Sequence, residues 1–219
     1  YELRPLPRAE AQYGSPESSQ ALVNVTNGKV MRLLVDDEPF DVRYGTRRTH
    51  DRVLDFRAGT LTRIAEWTSP AGKTVRVTST RLVSFTHRAI VGIVYELEVL
   101  DGRANVVLQS ELVANERLPL EAGDPREAGA LDAGSESEEY MSRDAGATLI
   151  HRTRKSGLSV AAAMDHVVLG SPKMRLASES SADSARVVVT DVLEPGQRLR
   201  VVKLVAYGWS HERTQPAMR

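Results

Sequence analysis

The chain has 219 residues, 41% of them hydrophobic, with a mean hydropathy of −0.30 and 29 basic residues against 29 acidic ones. That length and balance suit one soluble domain, and they supply no global field that would draw nucleic acid or an anionic membrane. Cysteine is absent, which excludes thiolate metal sites and a cysteine nucleophile and fits a reducing, cytoplasmic setting.

Residues 1–20 are polar, with Pro5, Pro7 and Pro16, and read as an irregular or extended arm. No apolar core follows its charges, so it is not a signal peptide, and no run is long enough to span a bilayer as a helix. The missing Met at the start suggests a piece of a longer protein. Strand signals begin at residue 21. Asn27-Gly28 tolerates positive φ at both positions and predicts a type I′ hairpin. A second turn is expected at Asp36–Val42, where Pro39 blocks helix continuation. Asp55 and Arg57 then stand just before Gly59. An acid two residues from a guanidinium, beside a glycine, fits either an active site or a strand end tied to its turn; the expectation is the turn, closed by a cross-strand ion pair.

Residues 60–83 predict a hairpin about Ser69–Lys73, with flanks rich in Thr, Val and Ile. From Ala89 to Val99 the chain alternates: Ala89, Val91, Ile93, Tyr95, Leu97 and Val99 share one face, Glu96 and Glu98 the other. Asp101-Gly102 turns into a run in which Val106, Leu108 and Leu112 share a face with Ser110. The pattern stops from Glu116 to Gly146, where nine acids stand against three arginines, a net of −6. This predicts a long acidic loop at 116–146, with a short helix at 124–132, able to rim a pocket or contact another domain. Strands resume with a hairpin turn at Arg154–Gly157. In the final run Leu199, Val201, Val205 and Tyr207 share a face that Lys203 interrupts. About ten to twelve short strands joined by Gly, Pro and Asp turns argue an all-β antiparallel sandwich.

The search for chemistry finds little. His50, His87, His151, His166 and His211 lie at no metal-ligand spacing, and no HExxH, nucleophile elbow or phosphate-binding glycine loop occurs. Asp165 and His166 are strand neighbours and so face opposite ways. Arg47, Arg48, Arg52, Arg57 and Arg63 are interleaved with acids and read as a solvated face. Asp55, Glu66, Glu96, Glu98 and Glu111 could supply a carboxylate pair, but an acid in a strand is more often the cross-strand partner of a Lys or Arg. No catalytic, cofactor or metal residue is therefore assigned.

The stretches VNVTNGKVMRLLVDDEPFDVRYG, VLDFRAGTLTR, WTSPAGKTVRVTSTRLVSFTHRAI and QSELVANE together resemble the N-terminal domain of glycoside hydrolase family 65. The ordered set is D-x-x-x-G-x-L-x-R, then S-P-A-G, then R-L-V-S-F-x-x-R, and the resemblance runs from about Ala21 to Trp209. It implies a large antiparallel β-super-sandwich, galactose-mutarotase-like, at 21–209. Residues 210–219 would begin a linker to an (α/α)6 catalytic domain that carries the catalytic glutamate. It further implies a parent acting on an α-glucoside disaccharide such as maltose, trehalose or kojibiose. That parent would use water or inorganic phosphate, need no cofactor, and form a homodimer. Two alternatives stay open: a mutarotase-like epimerase pairing His87 with Glu111, and a stand-alone carbohydrate-binding module presenting Trp67 or Trp209.

Overall fold

The computed structural model describes residues 2–5, 18–21, 23–116 and 134–210. Fifteen strands and no helix occur among them. All pairings are antiparallel. A small ribbon joins β1 (Glu2–Pro5) to β2 (Ser18–Ala21). The large sheet has eight strands, in the order β10 (Ser135–Arg143), β11 (Gly146–Thr153), β12 (Ser159–Leu169), β15 (Arg198–Ser210), β8 (Ile90–Asp101), β7 (Thr74–Val83), β6 (Thr60–Thr68), β5 (Thr46–Asp55). The small sheet has five: β13 (Arg175–Ser180), β14 (Ser184–Leu193), β9 (Ala104–Val113), β3 (Asn27–Val35), β4 (Glu38–Pro39).

Period-two alternation explains why the sheets face each other. Tyr95, Leu97 and Val99 of β8 are buried in one cluster with Val106 and Leu108 of β9 across the sandwich, while Glu96 and Glu98 face out. The core falls into two clusters. One gathers Trp67, Leu97, Leu108, Leu193, Leu199 and Val201; the other Leu112, Leu149, Ala162, Met164, Val187 and Val205. Lys203 stands between them on β15, fully buried. Its ammonium spans the gap between sheets, donating to Glu111 O at 2.9 Å and Val30 O at 3.4 Å.

Two of the expected turns and loops differ in the structure. Asn27-Gly28 is no hairpin; both residues lie in β3, at an irregularity in its pairing with β9. Gly28 is there because the backbone comes close to β15: a Cβ would stand 2.7 Å from the Tyr207 hydroxyl and 2.8 Å from Val205. The tight turn lies instead at the start of the second expected one, 36–42. Asp36 and Asp37, with φ of 48° and 67°, link the Val35–Glu38 pair in the two-residue geometry that wants positive φ at both positions. The supposed acidic loop is partly strand: Ser135–Arg143 forms β10, and 144–145 are only its hairpin to β11. As the edge of the large sheet β10 has no buried face to impose alternation, so its sequence is charged. The expected helix at 124–132 lies outside the described residues. In the arm read as irregular, Glu2–Pro5 and Ser18–Ala21 pair as strands.

Candidate functional site

Among the described residues, the five-stranded sheet leaves part of the eight-stranded one uncovered. β5 is exposed almost throughout, and β6 and β7 are buried mainly where they carry Ala65, Trp67, Val75 and Val77. The opposite halves of β6 and β7, with β5, form an open end.

The tip of this end is apolar. Phe56 in the β5–β6 turn is 89% exposed and Phe85 in the β7–β8 loop is 86% exposed, with Val53, Leu54, Leu82 and Val83 also exposed. The two loops are neighbours: a side chain on Gly59 would stand 3.7 Å from Leu82 and 3.8 Å from Phe85. Asp55 builds the turn. Its Oδ1 accepts from the backbone N–H groups of Arg57 and Ala58, both at 2.9 Å, and Gly59 takes φ of 66°. The expected ion pair with Arg57 is absent among the described residues; an acceptor engaged by two adjacent amides closes the turn by itself.

Below the tip, on the inner face, lies a cross-strand row set by register: Arg52 opposite Arg63, Arg63 opposite Ser79, Ser79 opposite Tyr95. The next row places Leu54, Leu61, Arg81 and Ile93 side by side. Three arginines thus share one surface with His50, which pairs with Ala65. Arg63 Nε donates to His50 Nε2 at 3.0 Å, so that nitrogen is an acceptor and the imidazole is neutral. The Arg63 guanidinium also lies 5.8 Å from the centre of the Phe40 ring, which packs edge-on against Trp67. Burial, and then the charges of Arg63, Arg47 and Arg52, depress the His50 pKa. Burial lowers that of Arg63 too, and Arg52 and Arg81 add to the effect. No carboxylate belongs to these rows, and Arg52 and Arg81 make no ion pair among the described residues.

The outer face of the same strands is the reverse. Arg76 bridges Glu66 at 2.6 Å and Glu98 at 3.1 Å; Arg198 bridges Glu98 at 3.2 Å and Glu96 at 3.3 Å; Arg200 reaches Glu96 at 4.0 Å. On β9, Glu111 is held by Arg32 and Arg186, each at 3.1 Å. Four of the five candidate carboxylates are therefore cross-strand ion-pair partners, and Asp55 closes a turn.

A family model described as the glycosyl hydrolase family 65 N-terminal domain matches residues 1–219. The chain belongs to that family. A glycosyl hydrolase of Mycobacterium tuberculosis is 52% identical over 219 residues, covering all of this chain and 28% of the relative. An alpha,alpha-trehalose phosphorylase of Thermoanaerobacter brockii is 26% identical over 212 residues, covering 94% of this chain and 27% of that protein. The chain thus spans little more than a quarter of the length of the curated relatives it matches. A candidate kojibiose phosphorylase from the human microbiome superposes with a TM-score of 0.83 at 14% identity over the whole of this chain and 27% of its own, a likeness of fold.

Several other polar groups of this family 65 domain are tied into the structure among the described residues. His87 lies in the exposed β7–β8 loop and Glu111 in the small sheet, so the pairing an epimerase would need is not formed. His166 Nδ1 donates to Ala145 O at 2.6 Å and Nε2 accepts from the Ser110 hydroxyl at 2.7 Å. A hydroxyl–imidazole pair is the start of a nucleophilic dyad, but both residues are buried in the core. Asp165 faces solvent and its carboxylate accepts from the His166 backbone N–H. His151 Nε2 donates to Asp183 at 3.0 Å, beside a cavity of about 80 Å³ lined by Asn24, Thr26, Asn115 and Val160 among others; Nδ1 has no partner. Among the described residues no three His, Asp or Glu stand close enough to share a metal ion. Trp67 is fully buried, its Nε1 donating to Tyr44 O at 2.5 Å, whereas Trp209 is 70% exposed.

Strand phase could have revealed the inner cations. Counting back by twos from Trp67 reaches Ala65, Arg63 and Leu61; counting on from Val75 reaches Val77, Ser79 and Arg81. Both arginines fall at inward positions. Arg81 stands apart in sequence from the run Arg47 to Arg63, so composition alone does not group it with them.

Proposed function

We propose that this chain is the non-catalytic N-terminal domain of an α-glucoside-processing enzyme, a phosphorylase or hydrolase of disaccharides such as maltose, trehalose or kojibiose. In that reading it packs on a separate catalytic domain and holds loops at the rim of its pocket; it works in the cytoplasm and needs no cofactor of its own. Homodimer formation belongs to the same proposal. The observation that carries it is the apolar tip at the open end, where Phe56 and Phe85 stand almost wholly exposed beside Leu82 and Val83. Contiguous apolar groups of this kind mark a surface that another protein surface covers. The relatives are more than three times as long as the region matched, which leaves ample chain to cover it.

A domain acting this way contributes by positioning and by excluding water from a site built elsewhere. The chain alone should therefore leave maltose, trehalose and kojibiose untouched, with or without phosphate; turnover of any of them overturns the proposal. In the longer polypeptide, replacing Phe56 and Phe85 together with Ser should cut disaccharide turnover at least tenfold, the scale that misplacement of a supporting surface produces. The same double change should leave the melting temperature of the 219-residue chain unaltered, because both rings face solvent there. Full turnover in the double variant would remove the tip from the interface.

A further inference from the structure

The inner-face arginines carry an inference that does not depend on the domain's place in a longer enzyme. Exposed arginines without partners are ordinary; these are not placed like that. Arg52 and Arg63 are directly opposite each other on adjacent strands, an arrangement of like charges that weakens a sheet. Arg81 lies two residues past Ser79, the cross-strand partner of Arg63, and so is a diagonal neighbour within reach of a long side chain. Arg63 is only partly exposed, which adds desolvation to the repulsion. On the outer face of β7 and β15, by contrast, Arg76, Arg198 and Arg200 all meet glutamates. The chain therefore places acids opposite arginines where the sheet faces out and none where it faces in.

The fixed elements around Arg63 suit a ligand rather than solvent alone. His50 accepts from Nε, and the Phe40 ring supports the guanidinium, so its plane is held and its outer N–H groups remain available. The two sequence motifs D-x-x-x-G-x-L-x-R and R-L-V-S-F-x-x-R contribute Arg63 and Arg81 to this one surface, though they are eighteen residues apart. Guanidinium groups present paired donors that match the oxygens of phosphate or sulfate.

We propose that Arg52, Arg63 and Arg81 form a binding site for a doubly charged oxyanion, a phosphoryl or sulfate group, on the uncovered inner face of the large sheet. The ligand's two negative charges would offset most of the charge of the three cations, and its oxygens would accept from their free N–H groups. His50 reports on it directly. The groups facing that imidazole are Arg47, Arg52, Arg63 and, with opposite effect, Asp51. An anion seated among the arginines offsets the field that depresses the imidazole.

The test is an NMR titration of the His50 ring in the 219-residue chain, comparing sulfate with chloride at equal ionic strength. Sulfate should raise the His50 midpoint by roughly one pH unit, the effect of a charge a few ångströms away, and the rise should saturate. Arg52→Gln and Arg81→Gln, which leave the Arg63–His50 bond in place, should each weaken the response at least several-fold while far-UV dichroism stays unchanged. Inorganic phosphate should raise the same midpoint, less than sulfate does because much of it carries a single charge below pH 7. A shift no larger than that given by chloride overturns the proposal, as does a sulfate response that survives in both variants.

Discussion

Asp55 turns its carboxylate back onto its own chain. Two backbone amides share Oδ1, and no charged partner is needed to hold the tip of the β5–β6 hairpin. Removing the acceptor leaves both amides to water at an exposed turn, so Asp55→Ala should lower stability by about 1 kcal/mol, the usual net worth of such a bond. Chemical denaturation of the chain measures this. A change within 0.3 kcal/mol in the same experiment, roughly the error of such comparisons, would mean that Gly59 alone sets the turn. The residue type was legible in sequence, since Asp before a glycine is a turn signal. The partner was not: whether a carboxylate meets an arginine or an amide depends on a rotamer and on which strand lies opposite. The same ambiguity resolved the other way for Glu66, Glu96 and Glu98, whose register puts an arginine beside each.

At the scale of elements, the legible strands were those with one buried face. β8 alternates because Ile93 to Val99 face the small sheet, and β15 keeps the phase through Lys203. β10 escaped notice because an edge strand has no such constraint, and its acids serve to keep the edge from pairing further. Asn27-Gly28 misled for a different reason. Its composition fits a tight turn, yet the glycine answers a contact 179 residues away: Gly28 N–H donates to the Tyr207 hydroxyl at 3.1 Å, and that hydroxyl donates to Thr26 O at 3.0 Å. Local sequence holds no trace of that approach. Gly28→Ala should therefore be costly although the strand conformation admits alanine. The new methyl must displace a hydroxyl held by two bonds and a buried Val205 methyl, a loss of about 1–3 kcal/mol by overpacking. Replacing Tyr207 by Phe in the same background should recover little, because Val205 still obstructs. Urea titration of the single and double variants distinguishes these outcomes, and a neutral Gly28→Ala would mean that the small sheet slides freely over β15.

At the scale of the whole molecule the sandwich is joined at a polar waist. Lys203 separates the two apolar clusters and links β15 to backbone carbonyls of β3 and β9, in the opposite sheet. Burial pushes its pKa down to about 7, against a partial pull upward from Glu111 and a further push down from Arg81. The unfolded chain holds this proton up to about 10.4, and the folded chain releases it above about 7, so folding expels a proton between those limits. Stability must then rise with pH across that window, and fall as pH drops from its upper to its lower end; below it the group contributes no slope. Between pH 7 and pH 9 the gain from this one residue is roughly 2 kcal/mol. Lys203→Met keeps the length of the side chain and removes the titration. Its unfolding free energy should differ between pH 7 and pH 9 by roughly 2 kcal/mol less than the wild type's, whatever the cost of leaving the Glu111 carbonyl without its donor. That cost shifts both pH values equally, so the slope isolates the buried charge. Equal slopes in the two proteins would mean that water reaches the ammonium between the sheets and that the waist is open.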